Sequence, residues 1–472
     1  MKDVGKRIAE RMRSSATAKM IFVAVLVLLF LIPMSMIGGV IRERETTRAY
    51  AESDIIGIWG GDQTLGGPIL HVPCLLRRKD AEGKIEVFRE LAHFLPEELD
   101  VKGEVVPEKR SRGIYDVTIY TAELHVSGRF SVPDFGDWRI PSQDILWEDA
   151  YLSVEFPDMR SLSETVTLSW ENRSIPFEAG RATVGMYEGE IWAPVPLARD
   201  RGARTVRNDT GGTFFSFKLK LNGGRSLSFI PLGRETRVAM SSPWTSPSFS
   251  GAFLPASRRL DADGFRAEWY VLSLGRSFPQ KWRGVEIDPS SISWSAFGVN
   301  LMIPVDTYAK AMRSVKYGLL FVFLPFITFF LFEVFSGIRV HPVQYMLVGF
   351  AVSLFYLLLL SVAEHLPFGW TYLLASTATV ALITVYSSAV LTTCRRGAVV
   401  APILAAAYIF LYVLLQSEDY ALLIGSIGLF SVLAAVMIAT RKVDWYSLGR
   451  GEAGRGAADR ERSANAPRER EA

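Results

Sequence analysis

Phe332-Glu333-Val334-Phe335-Ser336-Gly337-Ile338-Arg339-Val340-His341-Pro342-Val343-Gln344-Tyr345, continuing through residues 346–365, decides how this chain is read. It closes one apolar run, turns through a short polar segment and opens a second apolar run. The second run is about 20 residues, which at about 1.5 Å per residue crosses a hydrocarbon core of about 30 Å. Residues after this stretch repeat the pattern. Residues before it, back to Ile41, do not.

Working outward, the apolar periods predict five helices at about 316–336, 343–363, 369–391, 398–415 and 420–440. Their connections are short, so neighbours run antiparallel. Residues 1–19 carry Lys2, Lys6, Arg7, Arg11, Arg13 and Lys19, and residues 20–37 are apolar apart from Pro33 and Ser35. This reads as a signal anchor within 20–41 rather than a cleaved signal peptide. The run is long for a signal-peptide core, and no small-x-small cleavage site follows it.

Residues 42–313 are of another kind. Tyr115, Val117, Ile119 and Thr121 share one parity, as do Phe215, Phe217, Leu219 and Leu221. Such alternation marks strands. Asn222-Gly223-Gly224, ahead of Leu227 and Phe229, reads as a hairpin turn. Further strands are expected at 152–156, 166–170 and 265–271. The expected domain is a β-sandwich. If the Arg-, Asn- and Gly-rich segment 199–212 is a boundary, it separates lobes 42–198 and 213–313. The recurrence of Phe94-Leu95-Pro96 as Phe253-Leu254-Pro255 would fit duplicated lobes, and chance explains it as well. Asn172-Arg173-Ser174 and Asn208-Asp209-Thr210 are read as turn residues.

The fold class is therefore an α+β membrane protein: an N-terminal signal-anchor helix, a large all-β domain and a C-terminal bundle of five transmembrane helices spanning 314–440. The tail, 441–472, is Gly-, Ala-, Arg- and Glu-rich and is expected to be disordered. Lysine plus arginine number 52 against 49 acidic residues, a net charge of +3 that gives no reason to invoke a nucleic-acid partner. Arg339, Arg395, Arg396, Arg441 and Lys442 fall in one set of inter-helix turns, and Glu364, Glu418 and Asp419 in the other. The positive-inside rule then puts both termini in the cytoplasm and 42–313 in the periplasm. Cys74 and Cys394 would lie on opposite sides of the membrane, so no disulfide is expected.

The chain carries Phe332-Glu333, Arg339-x-His341-Pro342-x-Gln344-Tyr345-x-Leu347-Val348-Gly349, the run 355–361 and Glu364-His365. It also carries Gly67-Pro68 with Pro73, His93-Phe94-Leu95-Pro96-Glu97, Arg112-Gly113-Ile114-Tyr115, Ser246-Pro247-Ser248-Phe249, Phe253-Leu254-Pro255 and Asp444-Trp445-Tyr446-Ser447. In these it resembles the CreD, or colicin-tolerance (Cet), family of bacterial inner-membrane proteins over most of its length. The resemblance implies a role in envelope maintenance and stress response, membership of a two-component regulon tied to metabolism and cell-wall stress, and an effect on colicin tolerance.

No catalytic, cofactor or metal site is read from the residues. His71, His93, His125, His341 and His365 show no ligand spacing, and there is no nucleophile elbow. The candidate site is instead a polar cluster within or at the edge of the membrane: Glu333, Arg339, His341, Gln344 and Glu364. A charge at mid-bilayer costs on the order of 2.5–3.5 kcal/mol, so Glu333 needs a partner such as Arg339, His341 or the Gln344 amide. It either serves a proton or ligand site or fixes the turn between two helices, and the second is favoured because one carboxylate makes no relay. Pro342 reads as a first helical residue with His341 as its cap. Expected partners are the lipid bilayer and an unknown envelope protein or ligand at the β domain. The rival readings are an ion or small-molecule transporter, a periplasmic hydrolase, and a sensor that signals through a separate partner. Orientation is testable directly: alkaline phosphatase fused at Gly223 should be active and at Gly397 silent, and the reverse would invert the topology.

Overall fold

A computed structural model describes residues 16–79, 85–180, 185–197, 212–301, 307–336, 340–391, 394–417 and 420–441. The fold is α+β: an apolar N-terminal helix, a central region of two β-sheets, and C-terminal helices that include five candidate spans. It divides into two compact units, one made of Met1–Thr47 with Asp306–Ala472 and the other of Arg48–Val305.

The first unit contains α1 (Ala16–Leu29) and the start of α2 (Leu31–Trp59). The next helix in the chain, α3 (Pro289–Ser293), belongs to the other unit. After it come α4 (Thr307–Lys316), α5 (Gly318–Ser336), α6 (Pro342–Ala363), α7 (Phe368–Val390), α8 (Cys394–Gln416) and α9 (Ala421–Thr440). The five expected spans thus recur as α5 to α9 with ends shifted by a few residues. Among the described residues, six helices are long and apolar enough to cross a membrane. Phe30, at the junction of α1 and α2, is buried and meets Phe326 and Phe350 edge-on at 5.8 and 5.2 Å. It fits because residue 349 is glycine: a Cβ there would lie 2.3 Å from the Phe30 ring.

Two boundaries differ from the sequence reading. Helix continues from Ile41 to Trp59 although the side chains turn polar, because Arg-Glu-Arg-Glu and the alanines that follow are good helix formers and nothing breaks the backbone. It stops at Gly60 and Gly61, both at positive φ, with the Gly61 N–H on the Ile56 carbonyl at 2.7 Å. Residues 307–316 are also helical, with Tyr308, Ala311 and Ser314 on the buried side.

In the second unit the strands are β1 (Gln63–Lys79), β2 (Ile85–Phe94), β3 (Glu98–Arg112), β4 (Tyr115–Phe130), β5 (Tyr151–Phe156) and β6 (Thr167–Trp170). They continue with β7 (Arg173–Pro176), β8 (Glu178–Ala179), β9 (Gly189–Pro194), β10 (Thr213–Gly224), β11 (Ser226–Phe229) and β12 (Glu235–Ser242). Last come β13 (Pro247–Gly251), β14 (Ser257–Asp261), β15 (Gly264–Leu272), β16 (Lys281–Arg283) and β17 (Phe297–Leu301). One sheet has the order β13-β17-β11-β1-β5-β9-β8, with β2 also on β1 and β16 on β2; the other has the order β14-β15-β12-β3-β4-β10-β6-β7. The inward residues of both sheets form one core that includes Leu152, Val154, Leu124, Val126, Phe229 and Trp269.

Strands from 42–198 and from 213–313 pair with each other in both sheets: β1 with β11, β2 with β16, β3 with β12 and β4 with β10. The two stretches share their sheets and are not separate lobes. The tripeptide repeat marks no equivalence either, since Leu95 is 2% exposed at the end of β2 and Leu254 is 73% exposed in a loop. Asn172 does lie in the tight turn of the β6–β7 hairpin, and 208–210 lie outside the described residues.

The hairpin expected at 222–224 is a sheet crossing instead. The chain leaves β10 through Arg225, at φ 52°, and β11 enters the other sheet, parallel to β1 and antiparallel to β17. The glycines serve close approach. A Cβ on Gly223 would lie 2.5 Å from the Tyr120 hydroxyl, which donates to the Ser226 carbonyl at 2.6 Å. A Cβ on Gly224 would lie 2.6 Å from Ile56. The Gly223→Ala substitution should therefore displace Tyr120 and cost about 1–3 kcal/mol. Gly57→Ala, with open space around it, should be neutral or slightly stabilising. Chemical denaturation followed by tryptophan fluorescence checks the pair; equal effects would sink the packing account.

Candidate functional site

Helix α5 ends one turn after Glu333, and the next helix begins at Pro342. The α6 start is closed by a capping box: the His341 Nδ1 accepts from the Val343 N–H at 3.3 Å, and the Gln344 Oε1 accepts from the His341 N–H at 2.8 Å. The His341 and Gln344 side chains thus bond the backbone of the α6 start, and neither is bonded to Glu333 among the described residues. Arg339 lies outside the described residues.

Glu333 is buried and finds other partners. Its Oε1 is ion-paired with the Lys19 ammonium and accepts the Val340 N–H at 3.3 Å, while its Oε2 accepts the Tyr345 hydroxyl at 3.3 Å. One carboxylate therefore ties together α1, the turn after α5 and the first turn of α6. Lys19 keeps 24% of its side chain exposed, so the pair is partly solvated. Four groups converge, and only one of them is a carboxylate. The arrangement can fix helix ends against each other, and among the described residues no second carboxylate or imidazole is bonded to it.

Glu364 is not part of this cluster. It caps the other end of α6, which at about 1.5 Å per residue is about 30 Å away. There the Tyr308 hydroxyl donates to it at 3.4 Å, and the Arg44 Nε lies 3.7 Å away. The predicted cluster is therefore two clamps, one at each end of α6. Sequence reasoning missed Lys19, Tyr345, Arg44 and Tyr308. Depth could have revealed Lys19: it sits just before the first apolar run, at the level where Glu333 ends the second.

A separate polar site lies in the β region. The Nε2 of His71 is 2.7 Å from the Ser153 Oγ, and its Nδ1 is 2.9 Å from the Nδ1 of His93. Two facing Nδ1 atoms share a single hydrogen, so the contact requires at least one of them to be an acceptor. The rings are held by stacking on four adjacent strands: His93 on Trp282 at 5.1 Å and His71 on Tyr151 at 4.6 Å. Glu155, two residues beyond Ser153, accepts the N–H groups of Met186 and Tyr187 at 2.6 and 3.1 Å. His71, His93 and Glu155 line a cavity of about 40 Å³ beneath Met186, Val285 and Ile292. That volume suits water-sized groups, and Ser153 is wholly buried. Among the described residues no three His, Cys, Asp or Glu side chains gather as metal ligands. Cys74 is buried in the core, where desolvation pushes its thiol up to about 11.

The family model for Inner membrane protein CreD matches residues 15–446. Inner membrane protein CreD of Escherichia coli (strain K12) is 31% identical over 429 residues, 89% of this chain and 92% of that protein. The chain belongs to the CreD family of inner membrane proteins. It is accordingly a multi-pass inner-membrane protein. Several of the residues that carry the CreD resemblance fall at junctions. Glu333 and Tyr345 form one clamp, His341 and Gln344 cap α6, and Glu364 anchors the other clamp. Arg112-Gly113-Ile114-Tyr115 makes the β3–β4 turn, with Gly113 at φ 64°. His93 belongs to the buried chain and Glu97 pairs with Arg234. Residues 444–447 lie outside the described residues.

Two predictions follow from these geometries. Removing one partner of the membrane clamp, by Lys19→Ala or Glu333→Ala, should cost about 1–3 kcal/mol, discounted from a fully buried pair because Lys19 is part-exposed. A double-mutant cycle in detergent should show coupling, and additive losses would mean that no pair exists.

The second concerns pH. Burial pushes His93 down to about 4 from 6.5, and it lifts Glu155 to about 7 from 4.5 against the two backbone N–H groups, with Glu190 opposite adding to the rise. Between about pH 4.5 and 7 the folded chain keeps a Glu155 proton that the unfolded chain has lost, so this contribution falls as pH rises. Between about pH 4 and 6.5 the unfolded chain holds a His93 proton that the folded chain lacks, so that contribution grows. The two oppose each other. In Glu155→Gln the His93 effect is uncovered, and melting temperature should climb with pH across this window more steeply than in the wild type. Parallel profiles would remove Glu155 from the balance.

Proposed function

We propose that this CreD family member maintains the cell envelope under stress by binding rather than by catalysis. In this reading the β region hangs in the periplasm and engages an envelope protein or ligand, the helices hold it at the inner membrane, and both termini are cytoplasmic. The observation that carries the proposal is a large, single-core β region inserted between two apolar parts of one chain. In this reading the chain's link on each side makes the membrane helices its tether. Orientation rests on the arginine-bearing turns. The regulon and colicin-tolerance aspects rest on the family resemblance.

A transporter would call for several buried charges or for broken helices in paired halves. Glu333 is instead bonded to Lys19, Val340 and Tyr345, a pattern that favours a structural clamp. The hydrolase alternative would use Ser153 with His71 and His93, and it would require the 40 Å³ cavity to open. The deciding experiment is a clean deletion complemented by the full chain or by a chain lacking the β region. The expected result is altered cell shape, detergent sensitivity and colicin response, rescued only by the full chain. Wild-type behaviour of the deletion, or rescue without the β region, would overturn the reading.

A further inference from the structure

The outward face of the sheet that contains β3, β4 and β10 is a trough of about 960 Å³. Its floor is made of small residues such as Ala239, Ser241 and Ser216, which leave room above the backbone. Across the centre run Lys102 on β3, His125 on β4 and Lys218 on β10. The register places Lys102 directly opposite His125 and His125 directly opposite Lys218. Directly opposed side chains have Cβ atoms about 4.5–5.5 Å apart, so the two lysines flank the imidazole one strand away on either side.

Several cations near this row are ion-paired. Lys220, two residues beyond Lys218, pairs with Glu164 at 3.0 Å and Glu123 at 4.0 Å. Arg237 pairs with Glu235 at 2.9 Å and Asp100 at 3.9 Å, and Arg129 with Glu98 at 2.9 Å. Lys102, His125 and Lys218 have no ion pair or side-chain hydrogen bond among the described residues, and all three are exposed. Glu104 and Glu123, directly opposite each other, line the trough one outward position along from Lys102 and His125. A central row of two lysines and a histidine is thus left without an ion pair among the described residues; Arg266, which also lines the trough, is unpaired as well, and the row's own carboxylate, Glu268, stands beyond Ala239, two strands from Lys102, where it accepts the Ser257 hydroxyl at 3.3 Å.

We propose that this trough binds a phosphate-bearing ligand, with the phosphate seated over His125 between Lys102 and Lys218. Two ammonium groups match a dianion as point charges. The imidazole supplies a third donor, and the Ser216 hydroxyl lies one outward position along β10 from Lys218. This gives the binding region of the proposed function a ligand class, and it rests on that reading only for its place in the cell.

The test uses the full chain in a non-ionic detergent at low salt, titrated with inorganic phosphate by calorimetry. Saturable binding at one site per chain is expected. Lys102→Ala combined with Lys218→Ala should weaken it by about tenfold or more, the loss of one or two charge-assisted bonds. Lys220→Ala, a paired cation in the same trough, should leave affinity within about twofold, since its charge is already matched. All three side chains are on the surface, and an unchanged melting temperature verifies folding. No saturable binding, wild-type affinity in the double variant, or an equal loss in Lys220→Ala would overturn the site. Adding phosphatidylglycerol to the micelles separates the sources: competition points to a lipid headgroup, and its absence to a soluble phosphate-bearing molecule. Loss of phosphate binding sinks this site alone, whereas a normal envelope in the deletion strain sinks the functional reading and leaves the site standing.

Discussion

Hydrocarbon offers no hydrogen-bond partners to a peptide backbone. A chain that enters it must satisfy each N–H and C=O within the segment, which α-helices do and open sheets do not. This constraint sorts the whole sequence. The apolar segments become helices of about 20 residues, and the alternating segments form open sheets whose end strands, among the described residues, are β13, β16, β8, β14 and β7. Such edges are tolerable in water and prohibitive in lipid. The division of the chain into two units is the direct consequence.

Within each unit, polar groups taken out of water are joined in ways that fix geometry. In the helical unit, Glu333 gathers a lysine, a tyrosine and a backbone N–H from three segments. Glu364 does similar work at the other end of α6 with Tyr308 and Arg44. In the β unit, Ser153, His71 and His93 form a buried chain across adjacent strands, and Glu155 fastens the segment at Met186 and Tyr187 to β5. Breaking one member of such a set leaves another buried and unpaired, which is costlier than the bond itself. These junctions hold neighbouring helix ends and neighbouring strands in register, so their effect is on precision of packing more than on chemistry.

The outward face of the larger trough follows a different logic. There the solvent already satisfies polar groups, so two unpaired lysines flanking a histidine have no structural task. Lys102, His125 and Lys218 stand out because they are adjacent in one row and unpaired, while Lys220, Arg237 and Arg129 on the same sheet are matched. The buried sites and the exposed row therefore divide the protein's polar residues into those that secure the fold and those available to a ligand.

By itself the sequence determined the span positions, the helix start at His341-Pro342 and the parity of strands such as Tyr115–Phe130, because each depends on the local period of apolar residues and on backbone caps. It also carried the family, through motifs several of which sit at junctions. Only the tertiary structure decided which strands are neighbours, that β1 pairs in parallel with a strand more than 150 residues away, and that Gly223 and Gly224 serve a sheet crossing rather than a hairpin. It also decided that Lys19, and not His341 or Gln344, answers Glu333. Periodicity fixes which way a side chain faces along its own element. Partnership across elements depends on long-range register and depth, and no local pattern records either.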